Sequence, residues 1–332
     1  MRRVAVIGGG NWGTALSMIL SRQGHPVTLW AYEKEVVESI NQQHENCLFL
    51  EGYKTPEALR ASSSFEEVLT EAEIVISVMP SHHARGLYQQ MRPHLRAGMI
   101  FVSATKGLEE GSLMRMSEVF RDVVGEALKV HFAVLSGPTF AREIARGDPA
   151  AVVIASEQES AAQLVQREFS SRQLRLYRNS DVVGVELGGS VKNVIAIAAG
   201  VCDGLGLGSN SIAALITRGL AEMTRLVVAT GGKKETMAGL AGLGDLVLTC
   251  TGALSRNRTV GEELGKGKKL KEIVSSMRMV AEGVRTTVAA VALARKYQVE
   301  MPIVDQMHAM LYEDRTPVDA IHQLMDRSLK QE

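Results

Sequence analysis

The sequence opens with a short apolar run that ends in closely spaced glycines. The segment VAVIGGGNWGTAL covers residues 4–16, and Gly8, Gly10 and Gly13 have the spacing G-x-G-x-x-G. Continuous apolar residues before the glycines are typical of a buried strand, whereas TALSMILSRQG after them carries apolar residues at helical spacing. A strand, a tight turn and a helix are therefore predicted in this order.

This order is the one that a dinucleotide-binding unit requires. The first glycine permits the turn, the second lets backbone amides approach a pyrophosphate, and the third lets the helix pack against the strand. The helix N-terminus also attracts the anion, and a second apolar strand follows in PVTLWAY. We therefore interpret the three glycines as cofactor-binding residues; the alternative is a strand-to-helix turn without a ligand.

Strand and helix patterns alternate through the first half of the chain. The predicted strands lie at residues 4–8, 27–30, 74–78, 99–104, 132–136 and 151–156. Their continuous apolarity favours a mainly parallel sheet covered on both faces, as in an α/β Rossmann-type domain. After about residue 179 the segments become rich in Ala, Leu, Met and Glu, which predicts an all-α second half. We expect a nucleotide-binding domain at 1–185 and a helical substrate and catalytic domain at 186–332.

Charge and cysteine content argue against several classes of protein. The 332 residues contain 37 basic and 37 acidic side chains, so no basic excess points to nucleic acid. Cys47, Cys202 and Cys250 lack metal-ligand pairing, which argues against a disulfide framework and a metal site. No uncharged apolar run approaches the roughly 18 residues that a bilayer requires. A cytoplasmic protein without a membrane span is predicted.

The residues after the second strand bear on the choice of cofactor. Glu33 stands about 20 residues after Gly13, where an acidic side chain binds the ribose hydroxyls of NAD. Arg2, Arg3 and Lys34 offer positive charge to the 2′-phosphate of NADP instead. Glu33 is alternatively a solvated residue at a helix start. NAD and NADP therefore both stay open.

Two isolated charges stand out in the second half. In ELGGSVKNVIAIAAGVCDGL, Lys192 is the only charged residue between Glu186 and Asp203, and Asn193 adjoins it. Desolvation lowers the pKa of a buried lysine toward values suited to proton transfer. The alternative is a lysine that extends from a surface helix into solvent.

The second isolated charge is Asp245, within GLAGLGDLVLTCTG. Thr249 follows four positions later, so the two side chains share a helix face. Asp245 is alternatively an N-cap. A buried carboxylate needs a cationic partner, and Lys192 is the predicted one.

A predicted helix start in the second half is unusually basic. The sequence SRNR places Ser255, Arg256, Asn257 and Arg258 together. An arginine fork beside free helix amides is suited to a phosphate, although a solvated basic turn is the alternative. A nicotinamide cofactor, an acid–base lysine and a second anion site together favour hydride transfer to a small phosphorylated ketone.

At these residues the chain closely resembles the bacterial-type NAD(P)-dependent glycerol-3-phosphate dehydrogenases. The matching segments are GGGNWGTAL, SATKGLE, LSGPTFAREIA, ELGGSVKNVIAIAAGVCDGLGLGSNSIAALITRGLAEM, GLAGLGDLVLTCTG, SRN and VAEGVRTT. The resemblance implies reversible reduction of dihydroxyacetone phosphate to sn-glycerol 3-phosphate, which feeds glycerophospholipid synthesis. It also implies a homodimer and a substrate held between the two domains.

The resemblance further implies individual roles. Lys192 matches the proton donor and acceptor, Asp245 orients it, and Lys106 is a second lysine near substrate and nicotinamide. Thr249 belongs to the same catalytic group. Further matches to substrate contacts are Gly137, Thr139, Asn193, Ser255, Arg256 and Asn257. Further matches to cofactor contacts are Asn11, Trp12, Ala141, Val280 and Glu282, together with Lys106 and Arg256.

Some assignments keep an alternative. Trp12 is also suited to packing the first helix, and an acidic residue such as Glu282 stabilises a helix start in any case. Many relatives carry a basic residue where this chain has Tyr32 and Glu33. We therefore expect use of both cofactors or a preference for NAD. The competing functions are oxidation of an unphosphorylated 3-hydroxy acid and dinucleotide sensing without catalysis.

Overall fold

The structure, a computed structural model, describes residues 1–277 and 281–329. All the strands that it assigns lie between residues 4 and 179. They are β1 (Val4–Ile7), β2 (Val27–Trp30), β3 (Glu45–Asn46), β4 (Leu50–Lys54), β5 (Arg60–Ser62), β6 (Ile74–Ser77), β7 (Ile100–Ser103), β8 (His131–Ser136), β9 (Ala150–Ala155) and β10 (Leu174–Asn179).

Eight of these strands form one twisted sheet in the order β10-β9-β8-β7-β6-β1-β2-β5. Neighbouring strands are parallel except at the β8–β9 pair, so β9 and β10 run opposite to the rest. The strands β3 and β4 form a separate antiparallel pair. The predicted mainly parallel sheet is confirmed, and each of the six predicted strands coincides with a strand of this sheet.

Helices cover both faces of the sheet. They are α1 (Asn11–Arg22), α2 (Lys34–Gln43), α3 (Phe65–Leu69), α4 (Ala84–Met91), α5 (Met116–Val124), α6 (Ala141–Arg146) and α7 (Glu159–Phe169), with short 3-10 turns at Ser81–His83, Arg92–His94 and Glu126–Leu128. Because β1, β6 and β7 are buried on both faces, their sequences are continuously apolar.

The second half is helical throughout the described residues, as predicted. Its helices are α8 (Val182–Gly204), α9 (Ser209–Ala229), α10 (Lys234–Met237), α11 (Asp245–Thr251), α12 (Arg256–Gly265), α13 (Leu270–Ser276), α14 (Glu282–Lys296), α15 (Pro302–Tyr312) and α16 (Pro317–Met325), with a π-helical segment at Leu240–Gly244. The predicted domain boundary after residue 185 falls inside α8 and stays a prediction.

Helix α8 is the central element of this half. It packs against α9, α11, α12, α14 and α15, and it is buried along almost its whole length. In the described chain it alone combines the length and apolarity that crossing a membrane demands, with a mean hydropathy of 1.5. Since 94% of that window is buried inside the protein, α8 has the character of a core helix.

Glycines bring α8 and α12 into backbone contact. A Cβ on Gly200 of α8 would lie 1.9 Å from the carbonyl oxygen of Arg258, and a Cβ on Gly261 of α12 would lie 1.9 Å from that of Ile197. Both distances are far below van der Waals contact, and the obstacle is backbone in each case. The two helices that carry Lys192 and Arg256 are therefore held at a separation that only glycine permits.

We expect Gly200→Ala and Gly261→Ala each to lower the free energy of unfolding by about 1–3 kcal/mol, because the added methyl must push the helices apart. Urea denaturation followed by circular dichroism measures the change. Gly86→Ala is the matched control, since a Cβ at this exposed position of α4 meets nothing within 4 Å. An equal loss at Gly86 would contradict the explanation.

Candidate active site

The glycine turn after β1 leaves the start of α1 open. Gly8 has a φ of +128°, and a Cβ there would lie 2.0 Å from the carbonyl oxygen of Val78. A Cβ on Gly13 would lie 1.9 Å from the carbonyl oxygen of Gly8. Gly10, the N-cap of α1, has open space around its Cβ position. The predicted strand, turn and helix are confirmed, and the free space lies where an anion would meet the helix N-terminus.

The next two residues follow the turn into α1. The Oδ1 atom of Asn11 accepts a hydrogen bond from the backbone N–H of Trp12 at 2.8 Å. The Trp12 side chain is half-buried and packs against the core beneath the sheet. This contact agrees with the packing alternative for Trp12, and a cofactor contact by either residue stays a prediction.

The turn after β2 lies beside the glycine turn, because β1 and β2 are neighbours in the sheet. Tyr32 is 79% exposed, and Glu33 is the half-buried N-cap of α2. Both residues follow the carboxyl end of β2, the edge at which open α/β sheets bind their ligands. Their position is consistent with a ribose contact, which stays a prediction.

Two lysines share one buried aspartate across the two halves. Asp245, at the start of α11, is 1% exposed. Its Oδ1 accepts a hydrogen bond from the Nζ of Lys192 at 2.6 Å, and its Oδ2 accepts one from the Nζ of Lys106 at 2.6 Å. The predicted pairing of Asp245 with Lys192 is confirmed. The N-cap alternative for Asp245 is wrong, because Gly244 holds that position.

Thr249 completes the surroundings of Lys192. The Nζ of Lys192 donates to Thr249 Oγ1 at 2.6 Å, and that hydroxyl donates to the backbone carbonyl of Asp245 at 2.6 Å. Asp245 and Thr249 share one face of α11, as their spacing predicts. Lys192 is 5% exposed, so the surface alternative for this lysine is wrong.

Burial lowers the pKa of Lys192 to about 8. The carboxylate of Asp245 opposes this shift, whereas the positive charge of Lys106 adds to it. Cys250 is the other titratable group beside Lys192, and burial raises the pKa of its thiol to about 12, so it stays protonated. A lysine with a pKa of about 8 exchanges a proton readily near neutral pH.

Lys106 connects this cluster to the carboxyl edge of the sheet. It follows β7, and its Nζ also lies 3.3 Å from the carbonyl oxygen of Gly137, after β8. Gly137 has a φ of +144°, and a Cβ there would lie 3.0 Å from the Cα of Val152. Thr139 donates to the same carbonyl at 3.4 Å, and Ala141 is the buried first residue of α6.

The basic segment forms the start of α12, as predicted. The Ser255 hydroxyl caps the helix by accepting the N–H of Arg258. Burial lowers the pKa of Arg256, and Glu282 opposes the shift. Within residues 1–277 and 281–329, no protein acceptor forms a hydrogen bond with the half-buried Arg256 guanidinium, although the charge of Glu282 acts on it. Its donors are therefore available to an anion.

A chain of amide contacts joins this helix start to α8. The Nδ2 of Asn257 donates to Asn193 Oδ1 at 2.9 Å, and Asn257 Oδ1 accepts the N–H of Gly283 at 2.9 Å. Asn193 follows Lys192 and Asn257 follows Arg256 in the sequence. The hydrogen bond between the two asparagines therefore brings the lysine cluster and the guanidinium of Arg256 to the same region of the protein.

Glu282 contacts the sheet half directly. Its Oε2 accepts a hydrogen bond from Ser81 Oγ at 3.0 Å, and it borders Gly107, where a Cβ would lie 3.3 Å away. Burial raises the pKa of this carboxyl. Glu282 thus lies at the carboxyl ends of β6 and β7, beside the predicted cofactor site. Val280, the neighbouring predicted contact, lies outside the described residues.

One residue of this region was not identified from the sequence. Asn46, fully buried in the β3–β4 pair, donates through Nδ2 to the carbonyl oxygen of Gly9 and to Thr14 Oγ1, each at 2.7 Å. It therefore supports the glycine turn from behind. Asn46 lies in the polar stretch NQQHENC, which has no periodic pattern from which burial follows.

Comparison with known proteins identifies the family. Residues 3–162 match the family model of the NAD-dependent glycerol-3-phosphate dehydrogenase N-terminus, and residues 181–322 match that of the C-terminus. A glycerol-3-phosphate dehydrogenase [NAD(P)+] from Koribacter versatilis is 60% identical, with 98% of each chain covered. The chain belongs to this family. The corresponding protein of Syntrophotalea carbinolica is 54% identical, with 99% of each chain covered.

Solved structures agree with the fold. The glycerol-3-phosphate dehydrogenase of Coxiella burnetii superposes with a TM-score of 0.94 at 42% identity, covering 98% of this chain and 99% of that one. A ketopantoate reductase from Ralstonia eutropha has a TM-score of 0.60 at 18% identity, a likeness of fold alone. The expected fold class, oxidoreductase class and use of NAD or NADP are confirmed at the level of the family.

The turn after β2 generates a prediction about cofactor choice. With Glu33 at the N-cap of α2, we expect the dissociation constant of NADPH to be no more than about tenfold below that of NADH. We also expect Glu33→Gln to raise the dissociation constant of NADH by about tenfold. Fluorescence titration measures both constants. Glu35→Gln, an exposed change in the same turn, is the control. A hundredfold preference of the unmodified protein for NADPH would contradict the assignment.

Proposed function

We propose that the protein reversibly reduces dihydroxyacetone phosphate to sn-glycerol 3-phosphate with NADH or NADPH. One observation carries the proposal: Lys192 and Lys106 share Asp245. The guanidinium of Arg256, which has no hydrogen-bond acceptor among the described residues, is joined to the same region through Asn193 and Asn257. The proposal assigns a proton donor and a phosphate-binding group to this one region. The names of the two relatives reported above support the same reaction.

The cofactor site is proposed along the carboxyl edge of the sheet. The turn formed by Gly8, Gly10 and Gly13 fits a pyrophosphate. At Gly8 and Gly13 a side chain would overlap with backbone, whereas the space beside Gly10, at the start of α1, is open. Glu33 is assigned to the adenosine ribose. When bound, the nicotinamide supplies the hydride that reduces the ketone carbon. The other assigned contacts are Asn11, Trp12, Tyr32, Lys106, Ala141, Arg256, Val280 and Glu282.

The substrate phosphate is assigned to the start of α12. Arg256 supplies a planar pair of donors, and the backbone amides beside Ser255 and Asn257 add the positive end of the helix dipole. Burial of Arg256 strengthens its attraction to an anion, because little water screens the charge. Gly137 and Thr139 are assigned to the other end of the substrate, beside Lys106.

Transfer of the proton to and from the substrate oxygen is assigned to Lys192. In reduction, its ammonium donates a proton to the carbonyl oxygen as that oxygen becomes a hydroxyl; in oxidation, the neutral amine takes the proton back. Asp245 and Thr249 each bind Nζ at 2.6 Å and orient it. Lys106 stabilises negative charge on the oxygen and lowers the pKa of Lys192.

The proposal also covers the location, the oligomeric state and the physiological direction of the enzyme. It works as a cytoplasmic homodimer in which residues 1–185 bind the cofactor and residues 186–332 complete the site. The thiols of Cys47, Cys202 and Cys250 are all free, in keeping with a reducing compartment. Reduction, the proposed physiological direction, would supply sn-glycerol 3-phosphate for glycerophospholipid synthesis.

Removing the phosphate-binding group tests the substrate assignment. We expect Arg256→Ala to raise KM for dihydroxyacetone phosphate by about 100-fold, because a charge-assisted contact is lost. At saturating NADH, the turnover of unphosphorylated dihydroxyacetone stays unchanged. Arg258→Ala is the matched control, since that arginine pairs with Asp203 at 2.7 Å. Steady-state oxidation of NADH measures both. An unchanged KM would favour an unphosphorylated substrate such as a 3-hydroxy acid.

The pKa of Lys192 fixes the direction of the pH dependence. Reduction needs the ammonium, so its kcat/KM falls by about tenfold per pH unit above pH 8. Oxidation needs the amine, so its kcat/KM rises with pH up to about pH 8 and is level above it. Lys192→Ala lowers kcat by about 10²–10⁴-fold and leaves the dissociation constant of NADH unchanged. Lys234→Ala, at an exposed position of α10, is the control. Normal turnover of Lys192→Ala would show that another group transfers the proton.

A further inference from the structure

A buried carboxylate close to the site has no part in the mechanism above. Glu186 lies on α8, six residues before Lys192, and is 6% exposed. It accepts hydrogen bonds from the N–H of Ser117 at 2.7 Å, from the hydroxyl of Ser117 at 2.5 Å and from Nη1 of Arg115 at 2.8 Å. Both partners belong to the other half of the protein, at the start of α5.

Arg115 and Ser117 lie at the C-terminal end of the segment that carries Lys106. The segment runs from the end of β7 to α5, at residues 104–115, and is closed on itself by an antiparallel bridge between Leu108 and Arg115. Glu186 therefore binds this segment at its far end. Whatever moves the start of α5 also moves the closed loop attached to it.

The near end of the same segment is also bound to α8. Ser190, one turn after Glu186, accepts the N–H of Gly107 at 3.0 Å and donates to the backbone carbonyl of Glu186 at 2.7 Å. A Cβ on Gly189 would lie 3.7 Å from Cγ of Lys106, so the lysine side chain runs along this face of α8. The helix that carries Lys192 thus holds both ends of the segment that carries Lys106.

We propose that Glu186 is a positioning residue: by holding Arg115 and Ser117 against α8, it places the Lys106 ammonium on the second carboxylate oxygen of Asp245. The proposal rests on the function proposed for Lys106 and Lys192. Without Glu186, the N–H and the hydroxyl of Ser117 lose their acceptor, and the segment rearranges to expose them to water. The half-buried Arg115 guanidinium loses its contact with α8 and keeps its contacts with Ser117 and Glu118 in α5. A shift of about 1 Å in Lys106 is enough to cost on the order of 100-fold in rate.

The experiment combines Glu186→Ala with Lys106→Ala, singly and together. We expect Glu186→Ala to lower kcat for reduction, measured at saturating NADH, by about 10- to 100-fold. Because Lys106 then withdraws from Lys192, the fall in rate at alkaline pH moves to higher pH. In the Lys106→Ala background, Glu186→Ala adds no further loss and no further shift, since the group on which it acts is gone.

A matched control separates positioning from general destabilisation. Glu222, in the interior of α9, is another buried carboxylate, and it accepts the N–H groups of Ile303 and Val304, at the start of α15, at 2.8 and 3.3 Å. Glu222→Ala lowers the midpoint of urea denaturation and leaves the pH profile in place. Glu186→Gln, which preserves volume and one acceptor, gives a smaller effect in the same direction and replaces Glu186→Ala if that variant does not fold.

The outcomes distinguish this inference from the proposed function. Losses that add in the double variant, or an unshifted pH profile in the Glu186 variants, would overturn the positioning role while Lys106→Ala stays impaired. Normal turnover of Lys106→Ala would instead refute the role proposed for Lys106, and the positioning role would fall with it.

Discussion

The rest of the structure depends on the ion cluster of Lys192, Asp245 and Lys106. Taking these charges out of water costs several kcal/mol per ion, and only close, well-directed contacts offset that cost. Asp245 meets the condition because each of its oxygens accepts an ammonium at 2.6 Å. The three residues come from α8, α11 and the segment after β7, so these elements must dock in one arrangement. The interaction that makes the site reactive is therefore also one that holds the two halves together.

Helix α8 contacts each of the other elements that carry residues of this ion cluster. It carries Lys192, binds the segment of Lys106 through Glu186, and meets the phosphate-binding helix through Asn193. Its glycines let α12 approach at backbone distance. An apolar helix surrounded on all sides moves little, since each shift creates a cavity or an overlap. Groups that must meet a small substrate together are thus attached to the least movable element of the protein.

Much of the fold follows from local sequence, and the exceptions have physical causes. Strands buried on both faces are continuously apolar and were predicted, whereas β10 alternates buried Leu174 and Leu176 with exposed residues and was missed. Lys192 and Asp245 were found because each is a lone charge in an apolar helix. Glu186 has the same burial, but its acceptor role depends on Ser117, 69 residues earlier in the chain, and no local pattern reports such a contact.

The sequence by itself determined the glycine turn, the class of each half and the family, because strand apolarity, helical period and glycine spacing are local properties of the chain. It also marked the charges that have to be compensated. Only the tertiary structure decided that one aspartate binds two lysines, that no acceptor among the described residues binds the Arg256 guanidinium, and that Asn46 and Glu186 contact the segments beside the site. Those facts depend on the distances between elements far apart in sequence, and such distances are set by how whole faces pack, not by any single segment.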